Sequence, residues 1–186
     1  MPILGKVARH AVIEYRGVHA FELSPAELWE AIEQVERFED WWGWLRELSV
    51  CGAGPSPASG AARGRALRSG TVLSGVVAPP LPYRMRVQVH LTRCVRPRRI
   101  EADVHGDLEG EALLVVHRAP NGCSVDVAWS IEMMQAPMRL ADRVAHPLLC
   151  WGHDRVVDMT VAGFRRHVSH LASRDEATRP QPPMCS

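Results

Sequence analysis

Between residues 71 and 133 the chain alternates apolar and polar residues in one stretch after another, with only short turns between them. Tyr83, Met85, Val87, Val89, Leu91 and Val95 share one parity; Arg84, Arg86, Gln88, His90 and Thr92 take the other. Arg93 falls on the apolar side. Ile100, Ala102 and Val104 oppose Glu101, Asp103 and His105. Val125, Val127, Trp129, Ile131 and Met133 oppose Ser124, Asp126, Ser130 and Glu132. Residues 71–77 and Leu113 to His117 add shorter strands, and Gly106 to Gly110 and Pro120-Asn121-Gly122 read as turns. Strands joined so closely pair antiparallel. One face of the resulting sheet is apolar and must be covered.

The cover comes from both flanks. Residues 12–23 form a further half-buried strand, with Ile13, Tyr15, Phe21 and Leu23 on one side and Glu14, Arg16 and Glu22 on the other. His19 shares the apolar parity. A helix follows: Ser24 caps it, Pro25 suits its first position, Glu27 completes a capping box, and Leu23 with Leu28 makes a hydrophobic staple. Leu28, Ala31, Ile32 and Val35 form its buried stripe. Phe38 to Leu45 reads as a short second helix or turn, residues 46–51 as a strand, and Gly52 to Gly70 as a loop or flap. After Pro137 the pattern is helical to about residue 172, broken or kinked at Pro147. Cys150, His153, Val157, Val161, Phe164, Val168 and Leu171 form one seam.

The expected fold is therefore α+β: a curved antiparallel sheet of about six to seven strands around a long C-terminal helix, with one or two short helices after the first strand. Residues 1–10 are expected as an arm, 11–172 as the domain and 173–186 as a disordered tail.

Composition removes several function classes. At 186 residues and net charge +1, the chain is one domain with no broad attraction to nucleic acid or anionic membrane. Lys6 is the only lysine, which disfavours Schiff-base chemistry. Five scattered cysteines without a C-x-x-C point to reduced thiols and a cytoplasmic protein. Neither a signal peptide nor a membrane span is expected. G-x-S-x-G, P-loop, H-E-x-x-H and dinucleotide motifs do not occur.

Four stretches carry a family resemblance: SPAELWEAIEQVERFEDWW, PYRMRVQVHLTRCVRPRRIEADVHGDLEGEA, Val125 to Ile131 with its Trp129, and WGHDRVVDMTVAGFRRHV. Together they span roughly residues 11–170, and they resemble the START-like (SRPBCC) helix-grip superfamily, in its polyketide cyclase/dehydrase branch. The resemblance implies an internal pocket and a hydrophobic ligand. Members of that superfamily include aromatases, cyclases, and lipid and hormone binders.

Polar residues on the cleft face are the candidates for chemistry. Arg93 could hold an enolate or anionic oxygen, or reach into water from a strand end. His19 and His153 could move protons, or be hydrogen-bonded core histidines. Tyr15 and Tyr83 could donate to a carbonyl, or simply pack. Trp41, Trp42, Trp44, Trp129 and Trp151 could wall a flat ligand, or be core. His146, Cys150 and His153 have metal-like spacing, but Pro147 interrupts the turn and no fourth ligand is indicated, so no metal is expected. Asp107 and Glu109 read as turn acids, Asp154 and Asp158 as a polar helix face, and His167 and His170 as a solvated last turn.

Two readings result. One is a cyclase or dehydratase, with Arg93 stabilising enolate charge, His153 or His19 shuttling the proton, and Tyr15, Tyr83, Trp129, Trp41 and Trp151 binding substrate. The other is a non-catalytic carrier of a lipid-like molecule. Neither requires a cofactor. The expected partner is a hydrophobic small molecule, polyketide-like or lipid-like, with no nucleic acid and no membrane insertion; a homodimer stays open.

Overall fold

A computed structural model describes residues 12–51, 67–79, 84–134 and 155–170. Its elements run β1 (Val12–Phe21), α1 (Pro25–Glu33), a 3₁₀ turn (Val35–Arg37), α2 (Phe38–Trp41), β2 (Leu45–Cys51), β3 (Val72–Val77), β4 (Met85–Val95), β5 (Arg99–Gly106), β6 (Leu108–Ala119) and β7 (Gly122–Met133). Residues 155–170 form α3.

The seven strands make one curved antiparallel sheet in the order β1-β7-β6-β5-β4-β3-β2. Strands β2 to β7 follow one another as a meander. Strand β1 instead joins β7, so the α1–α2 segment carries the chain from one edge of the sheet to the other.

Helix α1 starts as its sequence dictates. The Ser24 side chain accepts from Glu27 N–H at 3.3 Å, and Glu27 accepts from Ser24 N–H at 2.8 Å. Hydrogen bonding to the Glu27 carboxyl, from the Ser24 side chain first and then from the Ser24 backbone N–H, holds it below its ordinary pKa. The helix then buries Leu28 and Trp29 completely; each such side chain contributes about 1.5–3 kcal/mol or more by leaving water. Leu28 packs on Val116, Cys123 and Val125, with Phe164 of α3 against the same cluster. Ile32 bridges to a second cluster of Val35, Leu67, Leu91 and Ala102. These contacts put α1 and α3 on one face of the sheet, the inner face. Met85 and Met133 form a third cluster with Ile13, Val77, Val87 and Leu108.

Three sequence expectations shift. Strand β6 is continuous over twelve residues, where only Leu113 to His117 was expected. The turn before it is confined to Gly106 and Asp107, because two carboxylates close it. Asp107 accepts from Arg86 N–H at 2.7 Å, and Glu109 accepts from Gly106 N–H at 3.1 Å. Strand β4 carries an irregularity between Leu91 and Arg93. One extra residue reverses every later side chain. Cys94 therefore turns inward and packs on the second core cluster, while Val95 is 40% exposed instead of sharing the apolar side.

The expected arm (1–10), most of the 52–70 loop and the tail (173–186) lie outside the described residues.

Candidate functional site

The inner face is graded. Beneath α1 and the 3₁₀ turn it is most buried, at Val116, Cys123, Val125, Leu91 and Ala102. Towards β1 and the middle of β7 the same face is only half-buried: Tyr15, Gly17, His19, Ala112, Trp129 and Ile131 all keep accessible surface. No polar side chain is fully buried among the described residues. The one polar pairing in this row is therefore conspicuous.

It joins Tyr15 and His19. The Tyr15 hydroxyl and His19 Nε2 are hydrogen-bonded at 3.0 Å. Residues four apart on a strand share a face but are too far apart for ordinary side chains to meet. Here the Tyr15 ring lies along the strand over residue 17. A Cβ at that position would stand 2.1 Å from the Tyr15 hydroxyl oxygen and 3.0 Å from His19 Nε2. Gly17 thus opens the groove that lets the pair form. On its other side Tyr15 stacks on Trp129, its cross-strand neighbour, with centroids 4.3 Å apart and planes 22° apart.

Helix α3 sets the electrostatics. Burial lowers the His19 pKa most; Arg165 of α3 lowers it further, and Asp158 of α3 opposes the change. A neutral imidazole at pH 7 follows. In the tautomer whose Nε2–H donates to the Tyr15 oxygen, the Tyr15 hydroxyl is left to donate to a ligand oxygen and His19 Nδ1 to accept a proton.

Arg165 also donates to the Ala20 carbonyl at 3.5 Å and lies 5.7 Å from the Phe21 ring centroid. Phe21 meets Phe164 edge-on at 5.6 Å, which fixes α3 over the end of β1.

The other candidates are distributed differently. Trp129 is beside Tyr15. Trp41 is not: it packs on Phe38, Trp42, Phe164 and His167, between α2 and α3. Gly163 makes that packing close, since a Cβ there would lie 2.3 Å from the Trp41 carbonyl oxygen. Arg93 does not face the grip. The irregularity in β4 turns it outward, its side chain 62% exposed, where it pairs with Glu101 at 3.6 Å. Glu101 also pairs with Arg99. His167 is not solvated as expected but half-buried beside Trp41 (6.4 Å), with its pKa lowered mainly by burial. His153, Tyr83 and Trp151 lie outside the described residues, as do His146, Cys150 and Asp154. Among the described residues, no three His, Cys, Asp or Glu side chains group to hold a metal. No helix among them is long and apolar enough to cross a membrane.

Two residues escaped the sequence reading. Gly17 carried a signal, because an isolated glycine inside a strand marks a close approach. Trp29 is fully buried and donates to Glu33 at 2.9 Å; its place off the apolar stripe concealed it.

No protein-family model matches the sequence, and no curated protein shows a significant match. Solved structures do. The TTHA0849 protein from Thermus thermophilus superposes with a TM-score of 0.65 at 13% identity, over 86% of this chain and 99% of its own. The KanY protein matches with a TM-score of 0.60 at 13% identity, over 86% and 99%. Ara h 8.0201, a Bet v 1-like structure, matches with a TM-score of 0.56 at 12% identity, over the same shares. The chain has the helix-grip fold. At these identities the likeness establishes architecture, in agreement with the START-like resemblance, and the chemistry rests on the chain's own residues.

Proposed function

We propose that this protein binds a hydrophobic, oxygen-bearing small molecule against the inner face of β1 and β7, beside α3. The Tyr15–His19 hydrogen bond carries the reading. It is a polar handle on an otherwise apolar, half-open surface, with the Trp129 ring as a neighbouring wall. A polyketide-like or lipid-like ligand has the matching chemistry, with extended apolar surface and a carbonyl or hydroxyl for the pair.

The same pair supports a reaction. With Nε2–H donating to the Tyr15 oxygen, the Tyr15 hydroxyl would donate to a ligand carbonyl oxygen as enolate charge develops there, and Nδ1 of neutral His19 would take the proton from the neighbouring carbon, becoming imidazolium. Ring closure by aldol addition, or dehydration, follows from such a step. His153 and Tyr83 remain proposed participants from the sequence. Arg93 has no role in this scheme, because it faces away. The carrier reading needs the handle without turnover.

The test compares two probes, 1,8-dihydroxyanthraquinone and anthracene, by tryptophan fluorescence. Both should bind the wild type. Tyr15→Phe and His19→Gln should weaken only the oxygenated probe, by about 2- to 10-fold for one hydrogen bond. Equal weakening of both probes, or no binding of either, would overturn the site. Turnover of a linear poly-β-ketone that disappears in His19→Gln while binding persists selects the enzyme. Binding without turnover selects the carrier.

A further inference from the structure

We propose that the free edge of β1 pairs with the same edge of a second copy of this chain, about a two-fold axis at Tyr15. The two seven-stranded sheets would then run on into each other.

Strand β1 closes one side of the sheet, with β7 as its sole strand partner among the described residues. Its ten residues pair with β7 without a register shift, and they include no proline. An edge this long and regular is a template for another strand. The opposite edge is blunted: β2 is seven residues, its register shifts between Arg46 and Ser49, and Glu47 has φ +54°. Val18 and Val12 on β1 are 70% and 50% exposed, so no described residue packs over those side chains.

The backbone direction fixes which residues can pair. The Phe21 carbonyl points at β7, lying 2.2 Å from where a Cβ on Gly122 would sit. Carbonyls alternate along a strand. Those of the even-numbered residues therefore point off the edge, and Arg165 reaching the Ala20 carbonyl agrees with this. From Val12 to Val18 the outward groups are free of that contact.

The sequence of this stretch, VIEYRGV, is self-complementary about Tyr15. An antiparallel pair centred there sets Glu14 opposite the partner's Arg16 and Arg16 opposite the partner's Glu14. Val12 falls opposite the partner's Val18, and Val18 opposite the partner's Val12. All four positions are even-numbered, so each pair also exchanges backbone hydrogen bonds. Neither Glu14 nor Arg16 has an ion pair among the described residues, so both charges are available. Moving the axis by one residue, which keeps even opposite even, sets Glu14 against the partner's Glu14 or Arg16 against the partner's Arg16. Charge thus selects a single register. Glu14, Arg16, Val12 and Val18 lie on the outer face, while on the inner face Tyr15 falls opposite the partner's Tyr15, so the charge reversals leave the ligand-facing residues unchanged.

Seven residues per strand form a contact smaller than a standard interface, so the dimer should be concentration-dependent. Sedimentation velocity of the full chain, from low to high micromolar in low salt, should show reversible dimerisation that added salt weakens. Arg16→Glu creates two like-charge pairs by symmetry and should raise the dissociation constant about ten-fold or more. Glu14→Arg should do the same. The double variant Glu14→Arg/Arg16→Glu restores opposite charges across the axis and should recover the dimer. Circular dichroism and thermal melts check that every variant is folded. A wild type that stays monomeric throughout, a dimer indifferent to either single reversal, or a double variant that stays dissociated would overturn the proposal.

Discussion

The Tyr15 hydroxyl and His19 Nε2 are bonded at 3.0 Å across a glycine, on an edge strand where nothing in the backbone requires them to meet. Gly17→Ala isolates that relationship. The new Cβ would stand 2.1 Å from the Tyr15 hydroxyl oxygen, the far end of a side chain that can swing aside. The fold should therefore lose little, about 0.5–1.5 kcal/mol for the hydrogen bond. The site should lose much more. Tyr15 must leave Trp129, so tryptophan emission should change while the melting temperature falls by only a few degrees. A variant with unchanged emission would show that the ring never needed the gap.

The two inward histidines predict how stability follows pH. His19 and His167 both titrate below their ordinary value in the fold, chiefly because burial disfavours the charged ring. Arg165 adds to the lowering at His19, and Arg37 at His167, while Asp158 and Asp40 respectively oppose it. As pH falls below about 6.5 the unfolded chain takes up protons that the folded chain still refuses. Stability should then drop, levelling off once pH passes the depressed folded values. Melting temperature should be lower at about pH 5.5 than at about pH 7.5, and His19→Gln with His167→Gln should flatten that difference. The lowered carboxyls of Glu27 and Glu109 act in the same direction but at more acid pH, so the two effects separate. Histidine NMR titration gives the direct check.

The fold was legible because its signals are local and repeated. Alternation placed the strands within a few residues, and Ser24, Pro25 and Glu27 marked the start of α1. Failures occurred where a single residue changed the geometry. The irregularity between Leu91 and Arg93 reversed the parity of the end of β4, taking Arg93 out of the grip and putting Cys94 in. Alternation cannot register one extra residue when the side chains on both sides of it are plausible. Trp41 illustrates a different gap. Its neighbours come from α3, more than a hundred residues later, and no periodicity within either segment reports that crossing. His19 and Tyr15 were placed on the correct face by parity, but their bond depends on Gly17, which contributes only empty space.

Trp29 and Glu33 join the core to the surface. Trp29 is completely buried and donates to Glu33, which also meets Arg96 at 3.4 Å. Trp29→Ala should cost about 3–5 kcal/mol, the range for a large buried aromatic. Glu33→Ala leaves the indole N–H without its acceptor and should cost about 1–3 kcal/mol. Arg96→Ala, at a side chain 53% exposed, should cost less than about 1 kcal/mol. Urea unfolding ranks the three, and an Arg96 effect as large as that of Glu33 would contradict the assignment.

Gly163 tests whether α3 controls the site from a distance. Alanine is the better helix former by about 1 kcal/mol, so propensity alone predicts stabilisation. Sterics oppose it: the added Cβ would lie 2.3 Å from the Trp41 carbonyl oxygen, a backbone atom that cannot rotate away. Overpacking of this kind costs about 1–3 kcal/mol, so Gly163→Ala should be destabilising on balance. The contact also bears on chemistry. Burial first, and then Arg165, two residues along α3, hold down the His19 pKa. Displacing α3 from α2 should let His19 titrate closer to its ordinary value, although position 163 touches Trp41 and not His19. An upward shift of the His19 titration in Gly163→Ala, beside a lowered urea midpoint, is the expected result. A destabilised variant with an unmoved His19 would mean that α3 braces the fold without tuning the site.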